Sequence, residues 1–201
     1  MVHGIGFCYD QDMNLPFRLA FIGAAFLLTT AAAGLAADLC VVSPRLTASA
    51  GGDAHGLVAL ANPTILARGP LLEVLIERQG RVVWQQLAAP GEALEGPIVW
   101  PLAAIRPAET FRVRLRPLGA AATDFASFRL TGAPRQQMAA AAALLGALGS
   151  DPQAWFEAIE QQLDHGDVAF AWLLLYAAEA PSSPSLDALR RQIYLRGCGA
   201  S

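Results

Sequence analysis

The sequence predicts an α+β protein in which an antiparallel β-sandwich is followed by a four-helix unit, behind an N-terminal apolar export segment. Three observations carry that expectation. From Arg45 to Gly132 the apolar residues recur with a period of two between turn residues. After Gly132 the period lengthens to about 3.6. Leu19 to Ala36 is an uncharged apolar run with Arg18 just before it. The boundaries that follow are 1–36 for the signal segment, 40–132 for the β-sandwich and 133–201 for the helical domain.

The leader reads LAFIGAAFLLTTAAAGLA, and Gly34-Leu35-Ala36 places small residues where a signal peptidase inspects the chain, so cleavage is expected after Ala36. The translation start is either Met1 or Met13; Met13-Asn14-Leu15-Pro16-Phe17-Arg18 is the more ordinary n-region. The competing reading is a retained membrane anchor, since about 18 apolar residues can just span a bilayer. Asp38 and Leu39 stand where a lipoprotein box needs small residues, which argues against a lipid on Cys40. The expected location is therefore exported, periplasmic or extracellular, with a membrane-anchored form facing outside the cytoplasm as the alternative.

Within the sheet half, Glu73 to Arg78, the dipeptide Gln79-Gly80 and Arg81 to Gln85 read as a β-hairpin with glycine where a tight turn needs positive φ. Gly56 to Ala61 and Pro97 to Leu102 are further strand candidates. Thr110 to Arg116 alternates strictly, with Phe111, Val113 and Leu115 on one face and Arg112, Arg114 and Arg116 on the other. Arg106-Pro107-Ala108-Glu109 is the turn that feeds it, and Ala126 to Leu130 closes the set. About seven short strands with regular turn signals suit a small antiparallel sandwich.

Four helices are expected next. Pro134 to Leu148 is alanine-rich and ends at Gly149. Ser150 or Asp151 caps a second helix, with Pro152 at its first position, running to Leu163. Asp167 opens a third, Val168 to Ala180, stopped by Pro181; Ser183-Pro184 starts a fourth that ends near Arg196. Short links imply antiparallel neighbours, and two helix pairs of this size resemble tetratricopeptide-type hairpins.

Composition narrows the function classes. The 201 residues are 54% hydrophobic and 15% charged, and all 14 basic residues are arginine. The net charge is −3; without residues 1–36, which hold Arg18, Asp10 and Asp12, 13 basic and 15 acidic residues leave −2. That balance lacks the basic excess of a nucleic-acid binder, so no nucleic acid is expected as a partner. There is no nucleophile elbow, glycine-rich phosphate loop or histidine pair at metal spacing, so neither a cofactor nor a metal is expected.

Beyond the leader only Cys40 and Cys198 remain, one at each end. In an oxidising compartment they can close a disulfide across almost the whole chain; otherwise they are two unrelated thiols. The row Arg112, Arg114 and Arg116, joined by Arg129 on a neighbouring strand, can receive an anionic partner. It can equally be a solvent face whose arginines pair with Glu73 and Glu77 across the sheet. Trp84, Trp100, Trp155 and Trp172 can stack on sugars if exposed, but their apolar neighbours suit core positions. Asp164-His165-Gly166-Asp167 has the residues of an acid–base cluster, yet its place between two helices accounts for it as a stop and a cap.

The leader followed by Asp38-Leu39-Cys40-Val41-Val42-Ser43-Pro44, the segments Leu71-Leu72-Glu73-Val74, Val83-Trp84 and Pro107-Ala108-Glu109-Thr110-Phe111, the helical stretch Trp155-Phe156-Glu157-Ala158-Ile159 and the late Cys198 together resemble a family of uncharacterised secreted cyanobacterial proteins. In that family an immunoglobulin-like β domain is followed by a small helical unit between end-placed cysteines. The resemblance implies architecture and compartment, and no activity. The chain departs from it in an alanine-rich tail and in lacking tryptophans near Ala67-Arg68-Gly69-Pro70. The expected role is a non-enzymatic extracytoplasmic interaction or scaffold protein with a protein or peptide partner, touching a membrane only if the leader is retained. The alternatives are a membrane-anchored accessory subunit, a glycan-binding module requiring exposed Trp84 or Trp100, and an enzyme working through facing carboxylates among Glu73, Glu77 and Asp124.

Overall fold

The computed structural model describes residues 39–49 and 52–196. The leader, its cleavage site and Cys198 lie outside the described residues. The described residues are mixed α+β, with two sheets and four helices. The strands are β1 (Cys40–Ser43), β2 (Thr47–Ser49), β3 (Gly52–Val58), β4 (Thr64–Arg68), β5 (Leu71–Arg78), β6 (Arg81–Leu87), β7 (Ile98–Val99), β8 (Thr110–Pro117) and β9 (Ala126–Gly132). The helices are α1 (Arg135–Leu148), α2 (Pro152–Asp164), α3 (Val168–Leu175) and α4 (Pro184–Arg196). Among the described residues no helix is long and apolar enough to cross a membrane.

Six strands form one sheet in the order β2-β3-β9-β8-β5-β6, and three form a second in the order β1-β4-β7. The β5–β6 hairpin is the one read from the sequence: Gln79 (φ 52°) and Gly80 (φ 75°) both take the left-handed conformation that a two-residue primed turn requires. β8 buries Phe111, Val113 and Leu115 and turns its arginines to the other face. The expected antiparallel order fails at one pair, where β3 runs parallel to β9 from Ala54↔Phe128 to Val58↔Gly132. A parallel neighbour needs a long crossover, and the five strands between β3 and β9 in the chain supply it.

Backbone bonds at Gly132 pin the end of β9. Gly132 donates to the Glu109 carbonyl at 2.9 Å and accepts from the Ala108 amide at 3.0 Å. A Cβ at Gly132 would collide with the Arg106 carbonyl oxygen, so the turn and the strand can approach this closely only over glycine.

Helices α2, α3 and α4 begin where their capping residues predict. Asp151 accepts from the Gln153 amide at 3.0 Å, Asp167 from the Phe170 amide at 3.1 Å, and Ser183 Oγ from the Leu186 amide at 3.2 Å. Helix α3 stops at Leu175, five residues before the expected Ala180. The cause is tertiary: Arg190 of α4 donates Nε to the Leu175 carbonyl at 2.9 Å and reaches the Ala180 and Pro181 carbonyls. The first of these bonds satisfies a carbonyl that the helix end leaves open, and the other two hold the chain beyond it. Both sheets and all four helices contribute to one hydrophobic cluster, from Val42 and Ile65 through Ile76, Val113 and Phe128 to Trp155, Leu174 and Leu186.

Candidate functional site

The arginine row lies as the alternation of β8 requires. Arg112, Arg114 and Arg116 share one face, and Arg129 stands directly opposite Arg112 in the β8–β9 register. Three of the four are paired. Arg116 Nη2 is 2.6 Å from Glu73 Oε2, Arg114 Nη1 is 3.0 Å from Glu77 Oε1, and Arg112 Nη2 is 2.7 Å from Asp53 Oδ2. The structure thus brings Glu73 and Glu77 to the arginines as the cross-strand reading expects, and adds Asp53 of β3, which that reading missed. Asp53 also accepts from Ser127 Oγ at 3.4 Å. Arg129 is exposed and makes no ion pair among the described residues.

Burial grades these pairs. The Arg116 and Glu73 side chains are only 14% and 10% exposed, whereas those of Arg112 and Asp53 are 49% and 29% exposed. Phe125 covers the inner end of the row: the Arg114 guanidinium lies 4.4 Å from its ring centre and that of Arg116 5.7 Å. Gln85 donates its side-chain amide to Glu73 Oε1. The Arg116 Nε finds no partner among the described residues. This end of the face is a closed polar network, and the arginines there are committed to their own sheet.

The carboxylates named as possible catalysts do not face one another. Glu73 and Glu77 lie along one strand, each holding an arginine, and Asp124 is exposed in a loop where Thr123 donates to it at 3.3 Å. Among the tryptophans, Trp100 and Trp155 are buried, their indole N–H groups donating to the Ala103 carbonyl at 3.0 Å and the Gly149 carbonyl at 2.9 Å. Trp84 packs partly buried against the core, and Trp172 lies under the Arg45 guanidinium at 5.1 Å. His165 is the residue after α2, its amide donating to the Gln161 carbonyl, Gly166 takes φ 78°, and Asp167 caps α3.

A further opening lies away from the arginine face. A cleft of about 650 Å³ separates β4 and β7 from the end of α3 and from α4. Thr64 and Leu66 line it on one side with Pro97 and Val99; Tyr176, Arg191, Tyr194 and Leu195 line the other. No periodicity announces it, because its walls come from four elements distant in the chain. Arg68 of β4 donates to the Leu195 carbonyl at 3.2 Å and ties the two walls together. The Thr64 hydroxyl is buried and has no hydrogen-bond partner among the described residues.

At one end of the cleft Tyr176 donates its hydroxyl to the Arg190 carbonyl at 3.0 Å. Burial pushes its pKa up to about 12, with the Arg190 charge opposing and Tyr194 adding slightly. Arg190 also holds Asp187 at 2.8 Å, and with the Ser182 hydroxyl it keeps the Asp187 carboxyl below its usual range, Ser182 contributing most. The raised phenol pKa has a directional consequence. The unfolded chain releases the Tyr176 proton near pH 10 while the folded chain keeps it to about 12, so stability is fully present below pH 10 and falls as pH rises through that window. Phenolate absorbance should therefore show one tyrosine titrating near pH 12 together with loss of fold, and Tyr176→Phe should abolish that late step. A late step that persists in Tyr176→Phe would assign it to another tyrosine.

The chain matches no family model, no curated protein and no solved structure.

Proposed function

We propose that this chain is an exported, non-enzymatic interaction protein whose protein partner adds an extended strand to the free edge of β6. The observation that carries the reading is the edge itself. β6 is the outermost strand of the six-stranded sheet, seven residues long, and contains neither proline nor an acidic residue. Natural sheet edges are usually kept short or charged to prevent pairing, and the opposite edge, β2, is three residues long. On β6 the side chains of Val82 and Leu87 are 53% and 57% exposed, and Arg81 is the sole charge. From Trp84 to Leu87 the strand keeps a regular register with β5, the geometry on which a further strand adds.

Two apolar sheet faces meeting in one core support an immunoglobulin-like sandwich for the sheet half, and the packing of α2 on α3 supports one helix hairpin of the tetratricopeptide type. A Cys40–Cys198 bridge fits the same picture. Cys40 stands opposite Arg68 in the β1–β4 register, Arg68 bonds Leu195, and Cys198 follows three residues later in the chain. Closing it needs the oxidising compartment that export provides.

Photo-crosslinking in the native cell tests the proposal, with the photoreactive group placed at Leu87 and, as control, at the exposed Leu163 of α2. The expected result is a discrete protein adduct outside the cytoplasm from position 87 alone, lost when Val82 is changed to lysine. The same adducts from both positions, or none from 87, would overturn it.

A further inference from the structure

We infer that the cleft between β4–β7 and α3–α4 binds a free long-chain aliphatic carboxylate. This assignment is separate from the β6 edge and rests on different residues. The volume of about 650 Å³ lies in the range of small-molecule sites, and the walls are mostly apolar. Val99 and Leu195 are 52% and 69% exposed, and both line the cleft with Leu66 and Tyr194 beside them. Such side chains left open to water at a concave site are what an alkyl chain covers.

The charge at the cleft is selective in a way that α4 alone does not suggest. Arg190 and Arg191 are adjacent and both line the opening, yet their guanidinium groups differ in commitment. That of Arg190 is spent on the Leu175, Ala180 and Pro181 carbonyls and on Asp187. Arg191 is exposed and makes no ion pair among the described residues; it acts on Asp187 only through space, and that carboxylate is already held by Arg190 and Ser182. A free guanidinium beside an apolar trough selects a ligand with an anionic head and an apolar body, and its planar fork suits a carboxylate. The body is an alkyl chain rather than a peptide. Each peptide residue brings an amide donor and acceptor that must find partners when buried, and mostly apolar walls supply few. An alkyl chain makes no such demand.

Calorimetric titration of the full chain with dodecanoate, below the concentration at which it forms micelles, tests the inference. Wild type should bind one equivalent. Arg191→Gln should weaken binding about tenfold, the loss of one charge-assisted pair at about 1.4 kcal/mol per decade. Leu195→Asp should abolish it, and dodecanol should bind wild type no better than dodecanoate binds Arg191→Gln. Arg129→Gln, which removes a free arginine from the sheet face, should change nothing. Arg191 and Leu195 are exposed, so an unchanged melting temperature in both variants separates lost binding from lost fold. Absent binding by wild type, or undiminished binding by Leu195→Asp, would overturn the site. Undiminished binding by Arg191→Gln would overturn the carboxylate assignment. Tighter binding of a short apolar peptide than of dodecanoate would make this a peptide groove and overturn the alkyl assignment.

Discussion

Replacing Trp155 by alanine should lower the unfolding free energy by about 3–5 kcal/mol, the usual cost of truncating a fully buried large aromatic. Trp155 is 0% exposed and is the largest of the wholly buried side chains. With Ala158 and Ile159 it forms the buried stripe of α2, at the i, i+3 and i+4 spacing that places all three on one helix face. Its indole N–H also holds the Gly149 carbonyl at 2.9 Å, the group on which α1 ends and the turn into α2 begins. Truncation therefore opens a cavity and orphans a carbonyl together, while Trp155→Phe keeps most of the volume and should cost less. Chemical denaturation reads the difference, and a melting temperature lower by roughly 10 °C is expected for a chain of this size. A loss below about 1 kcal/mol would mean that α2 is not seated in the common core.

The second large effect lies on the sheet. Glu73→Ala should cost about 3–5 kcal/mol, because it strands the Arg116 guanidinium in a place with little access to water. Among the described residues Arg116 already has an unpartnered Nε, and Gln85 would lose its acceptor on Glu73 as well. Removing both charges together, as Glu73→Leu with Arg116→Met, should recover most of the loss, since a buried pair replaced by apolar side chains of similar size is often neutral. The same cut at the exposed pair, Asp53→Ala, should cost about 1 kcal/mol or less. A double-mutant cycle on each pair checks the ordering. Equal costs at the two pairs would show that burial does not set their strength.

These effects bear on how the arginine face is to be read. A row of like charges on one strand invites an anionic ligand in the sequence, but electrostatics is decided by what stands opposite. Glu73 and Glu77 are legible as partners because they lie on the hairpin strand four residues apart, and so on one face of it. Asp53 is not legible, since β3 reaches the row only by pairing in parallel with β9, a contact no local pattern encodes. The proposed strand partner therefore rests on the edge at β6, which pairs with no further strand among the described residues, rather than on the charged surface.

Chemistry that acts within a few residues is legible from the chain alone. The alternation of Phe111, Val113 and Leu115 makes β8 a one-sided strand. Gln79-Gly80 sets the hairpin, and Asp151-Pro152, Asp167 and Ser183 start three helices, each supplying a φ or an acceptor that the adjoining backbone needs. The tertiary structure alone decided the parallel β3–β9 pair, the early stop of α3 under Arg190, and the cleft that joins Thr64, Val99, Tyr194 and Leu195. The reason is physical. A turn, a cap or a face is fixed by neighbours in the chain, whereas a helix end capped by another helix, or a cleft with four separate walls, exists only once burial of the common core has brought distant segments together.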